Sequence, residues 1–263
     1  MRFAITATDR YLGVFDAFIA AGWQPLKLFT VPIKSRLCHQ QAVMAVAERH
    51  GAAIQLSRMT ARDLADLKTQ DCDVLIVAGY DWKVVDWRPF LPFAVNFHCS
   101  PLPEGRGAYP VMRALLEGRV SWGVTCHKLT QKFDQGAILL AEHFPLQADE
   151  CHESLDLKIQ MSAKRIASRV AEDFCALWRA ATPQGGGSYW QVTQKNESVI
   201  DFARPLEVIL RTVRAFGTTG SLANVSGRWL TVKRAIGWQE RHDYEPGQVA
   251  HMYNCTVRRH RFT

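Results

Sequence analysis

The chain lacks any C-x-x-C pair. Its seven cysteines, Cys38, Cys72, Cys99, Cys126, Cys151, Cys175 and Cys255, are scattered and odd in number. That argues against a zinc site or a disulfide frame and reads as free thiols in a reducing cytosol. No apolar run reaches the ~18 residues of a membrane span, and the start, MRFAITATDRYLG, has no long apolar signal core. The expected setting is therefore cytoplasmic, with no membrane partner. No G-x-G-x-x-G follows the first apolar segment, so no dinucleotide is expected. There is no fixed-period repeat. Acidic residues are the scarcer charge, 25 against 32 basic, and the formal net charge is +7. Such a balance suits an anionic partner, whether phosphates, a glutamate tail or RNA, or simply a basic solvated surface.

What is present fits an ordinary globular enzyme: 48% apolar and 22% charged residues, with a length that allows one large domain or a domain with a small appendix. RFAITA (2–7) and PLKLFTV read as strands around a helix, DRYLGVFDAFIAAGW, whose Leu12, Phe15, Phe18 and Ile19 recur at helical spacing. Helices over 40–50 and 60–68 flank a strand-like AAIQLS, and CDVLIVAG (72–79) is a continuous apolar strand ending on glycine. AVNFH (94–98) is a further strand, 109–118 a helix, and SWGVTCHKL and AILLAEHFPL are strands joined across TQKFDQG. Residues 152–181 form a long amphipathic helix through Leu155, Ile159, Ile166, Val170, Phe174 and Leu177.

Strands alternating with helices imply an α/β fold: a Rossmann-like, mostly parallel sheet with helices on both faces. Ligands of such sheets sit at the carboxyl ends of the strands, here residues 79–84 and 98–108. Composition shifts at TPQGGGSYW, where three consecutive glycines signal a linker. The expected organisation is a catalytic domain over 1–183, a Gly-rich linker over 184–190 and a small C-terminal α+β subdomain over 191–263. That subdomain has one helix, PLEVILRTVRAF, a strand pair around LANVSGRWLTVKRAIGW, and a short basic end, VRRHRFT, expected to be poorly ordered.

Three polar residues stand out by placement. Asn96 and His98 alternate at a strand end, so their side chains share one face. Asp134 lies in the tight loop KFDQG between two strands. A carboxylate near a histidine sets its tautomer and basicity, and an amide with an imidazole can hydrogen-bond an oxyanion. Acyl transfer is one chemistry this permits; a structural histidine is the plainer reading. His127, His143 and His152 are not at ligand spacing with carboxylates and read as structural or surface residues.

The stretch VNFHCSPLPEGRGAYPVMRALLEG, followed by GVTCHKLTQKFDQGAIL, resembles the 10-formyltetrahydrofolate-dependent formyltransferase family, which includes methionyl-tRNA formyltransferase and the sugar N-formyltransferases. The matching elements are Asn96-Phe97-His98, the loop Ser100-Pro101-Leu102-Pro103, Arg106-Gly107, and Asp134-Gln135-Gly136 one hairpin later. Pro101 stands where leucine is usual. The similarity is strong over 70–145 and architectural before it.

The resemblance implies that Asn96, His98 and Asp134 are catalytic and that 10-formyltetrahydrofolate is the co-substrate, with no metal. It implies folate contacts at Tyr80, Asp81, Trp82, Ser100, Leu102, Pro103, Arg106, Thr130, Gln131, Lys132 and Phe133. The acceptor is then a primary amine of an anionic small molecule, a nucleotide-linked amino sugar or an aminoacyl group, ahead of methionyl-tRNA. The small second unit motivates that order, its basic residues being Arg204, Arg211, Arg214, Arg228, Lys233, Arg234, Arg258, Arg259 and Arg261. Two competing readings are a 10-formyltetrahydrofolate hydrolase and a binding module that has kept the fold. The first is disfavoured because the chain begins on its first strand, the second because all three catalytic residues are present. Oligomeric state is not readable.

Overall fold

The computed structural model describes residues 1–32, 39–241, 243–252 and 255–258. Two compact units divide the chain. The first is built from 1–107, 123–144 and 158–189, the second from 108–122, 145–157 and the residues from 190 onward. The second unit thus draws on two segments ahead of the Gly-rich stretch, and residues 184–189 of that stretch belong to the first.

The first unit is organised by a seven-stranded sheet of order β3-β2-β1-β4-β5-β6-β7. Its strands are β1 Arg2–Ala7, β2 Gln24–Phe29, β3 Ala53–Gln55, β4 Val74–Ala78, β5 Phe93–His98, β6 Ser121–Lys128 and β7 Ile138–Pro145. Pairings from β3 through β5 are parallel, and β5 with β6 is antiparallel. The sheet is mostly parallel, as the alternation of strands and helices predicts. β4 is buried at every position, which explains its continuous apolar run.

Alternation along the strands separates two faces. On one, Phe3 meets Phe15 and Phe18 of α1 (Leu12–Ala20), Phe18 meets Phe97, and Phe93 meets Phe174 of α5 (His152–Ala180). On the other, Ala4, Leu75, Val77 and Ala94 pack with Leu64 and Leu67 of α3 (Ala61–Thr69). The crossover between β2 and β3 contains α2, Gln41–Arg49. A side chain at 94, 96 or 98 lies on the α3 face. Asn96 and His98 therefore continue the row that Ala94 begins, where the apolar strand runs out.

The second unit holds α4 (Val111–Leu116), α6 (Leu206–Phe216) and the hairpin of β8 (Ser221–Val225) with β9 (Arg228–Val232). Its core joins Ile209 and Val213 of α6 to Ile200, Ala223 and Val225. Trp122 stacks on Trp190, and Arg113 pairs with Glu197. A second hairpin, β10 (Val249–Met252) with β11 (Cys255–Arg258), was not foreseen from a sequence so short and mixed. The end expected to be poorly ordered contributes Val257 and Arg258 to β11, and residues 259–263 lie outside the described ones.

The cysteines 72, 99, 126, 151 and 175 are free thiols, while Cys38 lies outside the described residues. Among the described residues no helix is long and apolar enough to cross a membrane.

Candidate active site

The carboxyl end of β5 brings Asn96 and His98 against the loop that carries Asp134. His98 is 8% exposed and Asp134 9%, so both ionisable groups are almost sealed from water. The His98 ring is oriented by its far nitrogen. Nε2 lies 2.9 Å from the Gly105 carbonyl, which can only accept, so Nε2 carries a proton. Nδ1 then faces Asp134 Oδ1 at 3.5 Å. Burial pushes His98 below the ordinary histidine value, against the pull of the Asp134 carboxylate. Burial opposes charge on Asp134 too, but His127, His98 and the Gly107 amide outweigh it and hold the carboxyl below the usual aspartate value. At neutral pH the pair is a neutral ring and a carboxylate, two acceptors facing one another.

The Asp134 backbone adopts the left-handed conformation, φ 55°. That costs about 1–2 kcal/mol for a residue with a Cβ, though aspartate is among the more tolerant. Contacts on both sides of the turn hold it there. Oδ2 accepts the Gly107 amide at 2.9 Å. The Asp134 carbonyl accepts Nε2 of Gln184 at 2.9 Å. Two residues on, a Cβ at Gly136 would run into the Lys128 carbonyl, so the D-x-G spacing is a steric requirement of this hairpin.

His127 belongs to the site. It had read as structural or surface, yet it is 1% exposed and stands opposite Asn96 in the antiparallel pairing of β5 with β6. Its Nδ1 donates to the Lys128 carbonyl at 2.8 Å, leaving Nε2 to accept from the Asn96 amide at 3.1 Å. The same Nε2 lies 3.6 Å from Asp134 Oδ1, and the Asn96 amide also reaches Asp134 Oδ1 at 3.3 Å. Four side chains thus converge: Asn96, His98, His127 and Asp134. The signal for His127 was pairing across the hairpin, which periodicity within one strand does not carry.

A family model described as formyl transferase matches residues 33–171, more than half of the chain. The chain belongs to the formyl transferase family. Methionyl-tRNA formyltransferase of Halorhodospira halophila is 32% identical over 211 residues, 76% of this chain and 67% of that one. Among solved structures, a sugar N-formyltransferase from a Shewanella species superposes with TM-score 0.71 at 11% identity, covering 91% of this chain and 98% of that chain. The N-formyltransferase of Helicobacter canadensis, solved in complex with folinic acid and dTDP-3-aminofucose, gives 0.71 at 14% identity over 97% and 93% of the two chains. At these identities the structural likeness shows the fold. The chain is a formyltransferase, an enzyme of one-carbon group transfer.

The family's remaining sequence-assigned residues fall into two groups. Ser100 and Leu102 are buried in the loop after β5. The Ser100 hydroxyl donates to the Glu104 carbonyl at 2.7 Å, and the Leu102 amide donates to Thr125 Oγ1 at 3.0 Å. With Pro103 they shape the loop from within. Arg106 turns to Gln184 and Gly185. The second group forms a rim. Lys83 lies over the ring of Phe133, 5.8 Å from its centroid, and Gln131 reaches Asp86. Phe133 is 55% exposed, and Asp81, Thr130, Gln131 and Lys132 are exposed with it. Trp82 packs edge-on against Tyr80, whose hydroxyl accepts the Met59 amide at 2.7 Å.

Proposed function

We propose that the chain transfers the formyl group of 10-formyltetrahydrofolate to the primary amine of a small anionic acceptor, with Asn96, His98 and Asp134 at the reacting atoms. The observation that carries this reading is the His98–Asp134 pair, two buried acceptors 3.5 Å apart with the other ring nitrogen already bonded. Such a pair takes up one proton and returns it, which is what formyl transfer between nitrogens requires.

The neutral amine attacks the formyl carbon, and the carbonyl π electrons move onto oxygen. Asn96 turns an amide N–H to that oxygen in place of its longer bond to Asp134. The surplus proton of the attacking nitrogen passes to His98 Nδ1, where Asp134 stabilises the imidazolium, and the charged ring faces the oxyanion. Collapse breaks the bond from the formyl carbon to N10 of the folate, and the same proton leaves on that nitrogen. His127 keeps the Asn96 amide oriented throughout. The rim of Tyr80, Asp81, Trp82 and residues 130–133 fits a flat pterin, because it offers an exposed aromatic face at Phe133 and loop backbone groups to read a donor–acceptor edge.

The formal net charge of +7 suits an anionic acceptor such as a diphosphate, so a nucleotide-linked amino sugar leads as acceptor. A second reading, the aminoacyl group of a charged tRNA, is favoured by the name of the relative at 32% identity. Competition tests both. Charged initiator tRNA and a panel of nucleotide-linked amino sugars are each offered with 10-formyltetrahydrofolate. Formylated sugar as the main product supports the first acceptor. Efficient formylation of tRNA with a steep salt dependence supports the second. Formate released without any acceptor would instead mark a hydrolase.

A further inference from the structure

We propose that Gln184 is a positioning residue for formyl transfer, clamping the Asp134 turn and the 104–107 loop to one strap and thereby setting the His98–Asp134 separation. The proposal rests on the roles given above to His98 and Asp134.

The carboxamide of Gln184 is saturated on both sides. Its two N–H groups go to the carbonyls of Asp134 at 2.9 Å and Gly136 at 2.7 Å. Its oxygen accepts Nε and Nη2 of Arg106 at 3.0 and 2.9 Å, and Nη2 also reaches the Gly185 carbonyl at 2.9 Å. The strap continues to Ser188. Its hydroxyl accepts the Gly105 amide at 2.8 Å and donates to Glu104, and its carbonyl accepts the Arg106 amide at 3.0 Å.

The residues on either side of Arg106 are the ones that hold the reacting pair. Gly105 binds His98 through its carbonyl, and Gly107 binds Asp134 through its amide. Gln184 completes the circuit from the other side, by holding the carbonyl of the left-handed residue itself. A residue at φ 55° stays there only if its surroundings fix it. Without Gln184 the carbonyls of Asp134 and Gly136 lose their donor together, and the turn is free to relax away from His98.

The test compares Gln184→Glu and Gln184→Met with the parent. Glutamate keeps an oxygen for Arg106 but sets a second oxygen against the two carbonyls, whereas methionine fills the space with no donor. Both variants are expected to lower kcat about a hundredfold, the scale of a roughly 1 Å misplacement of a reacting group. KM for donor and acceptor should stay within about twofold of the parent. In Gln184→Met, the His98 ring followed by NMR should titrate at lower pH than in the parent, because the carboxylate that raises it has withdrawn.

A kcat within about threefold of the parent in both folded variants would overturn the proposal. So would a loss of kcat that tracks the melting temperature while His98 titrates as before, since that marks a strut only. If both variants fail to fold, Arg106→Lys takes their place with the same readouts, since it keeps the charge but loses the two-nitrogen grip on Gln184. His98→Ala is run alongside. An active His98→Ala would sink the site assignment, while an inactive one beside a normal Gln184→Glu sinks the role of Gln184 alone.

Discussion

His98 presents Nδ1 to Asp134 Oδ1 across 3.5 Å while its Nε2 is held by the Gly105 carbonyl. The ring therefore has one usable nitrogen, and that nitrogen faces a carboxylate. On the mechanism proposed above, a proton taken up at that nitrogen is held between the ring and the carboxylate, so histidine and aspartate are expected to act as one group. Removing either should be nearly as damaging as removing both. His98→Ala and Asp134→Asn are each expected to lower kcat a hundredfold or more, about 3 kcal/mol of transition-state stabilisation, and the double variant to lose little further. Steady-state rates on protein shown folded by circular dichroism decide this. Retention of most activity in either single variant would remove these residues from the mechanism.

His127 offers a sharper distinction between touching the substrate and orienting what touches it. Its Nε2 accepts the Asn96 amide at 3.1 Å, and its Nδ1 satisfies the Lys128 carbonyl. His127→Phe leaves that part-buried carbonyl without this donor and lets the Asn96 amide rotate. The expected loss of stability is about 1–3 kcal/mol. Activity should fall through kcat, by less than in His98→Ala. A variant as inactive as His98→Ala, yet as stable as the parent, would mean that His127 takes a direct part in proton transfer.

Much of this arrangement was legible in the sequence. Asn96 and His98 share a face because strand side chains alternate, and Asp134 sits in a loop because KFDQG interrupts two apolar runs. The parallel sense of β1 to β5 follows from their alternation with helices, whereas their order in the sheet is not carried by that patterning. What escaped was contact between segments far apart in the chain. His127 meets Asn96 only because β6 turns back antiparallel to β5, and the pattern of one strand does not announce its partner. Gln184 was read inside a linker because three glycines followed it. Composition reports that glycine is tolerated, not whether it serves freedom or close approach. The resemblance places the polar residues of the 100–106 loop near the ligand, and the structure adds that the hydroxyl of Ser100 and the guanidinium of Arg106 are bonded within the protein.

Stability should depend on pH through His98. The folded state holds the ring below its ordinary value of about 6.5, so between the two values the unfolded chain binds more protons than the folded one. The contribution is fully present above roughly pH 6.5 and is lost as pH falls toward the folded value, with a slope of at most about 1.4 kcal/mol per pH unit. The Asp134 carboxyl adds a loss of the same sign at lower pH, beginning near its unfolded value of about 3.9, because its folded value is also depressed. Denaturant unfolding of the parent and of His98→Gln from pH 7 to 5 should show the variant losing less stability on acidification. Parallel curves would mean that the ring titrates alike in both states.

The three consecutive glycines separate a flexible linker from a pinned strap. At Gly185 and Gly186 an added Cβ would meet nothing within 4 Å. At Gly187 it would collide with the carbonyl and Cβ of Pro103, whose loop continues into Glu104 and Gly105, where Ser188 is bonded. None of the three has the left-handed backbone that alanine resists, so the contrast between them is one of space alone. Gly186→Ala should be neutral or stabilising by up to about 1 kcal/mol, through lower entropy of the unfolded chain. Gly187→Ala must push the strap away from the 103–105 loop, at a cost of about 1–3 kcal/mol as in an overpacked contact. It should also lower kcat, because the displaced strap carries the Ser188 and Gln184 bonds that brace the site. Thermal denaturation and steady-state kinetics of the two variants side by side measure this. Equal behaviour of the two would return the segment to the status of a linker, and with it remove the steric reason for glycine at 187.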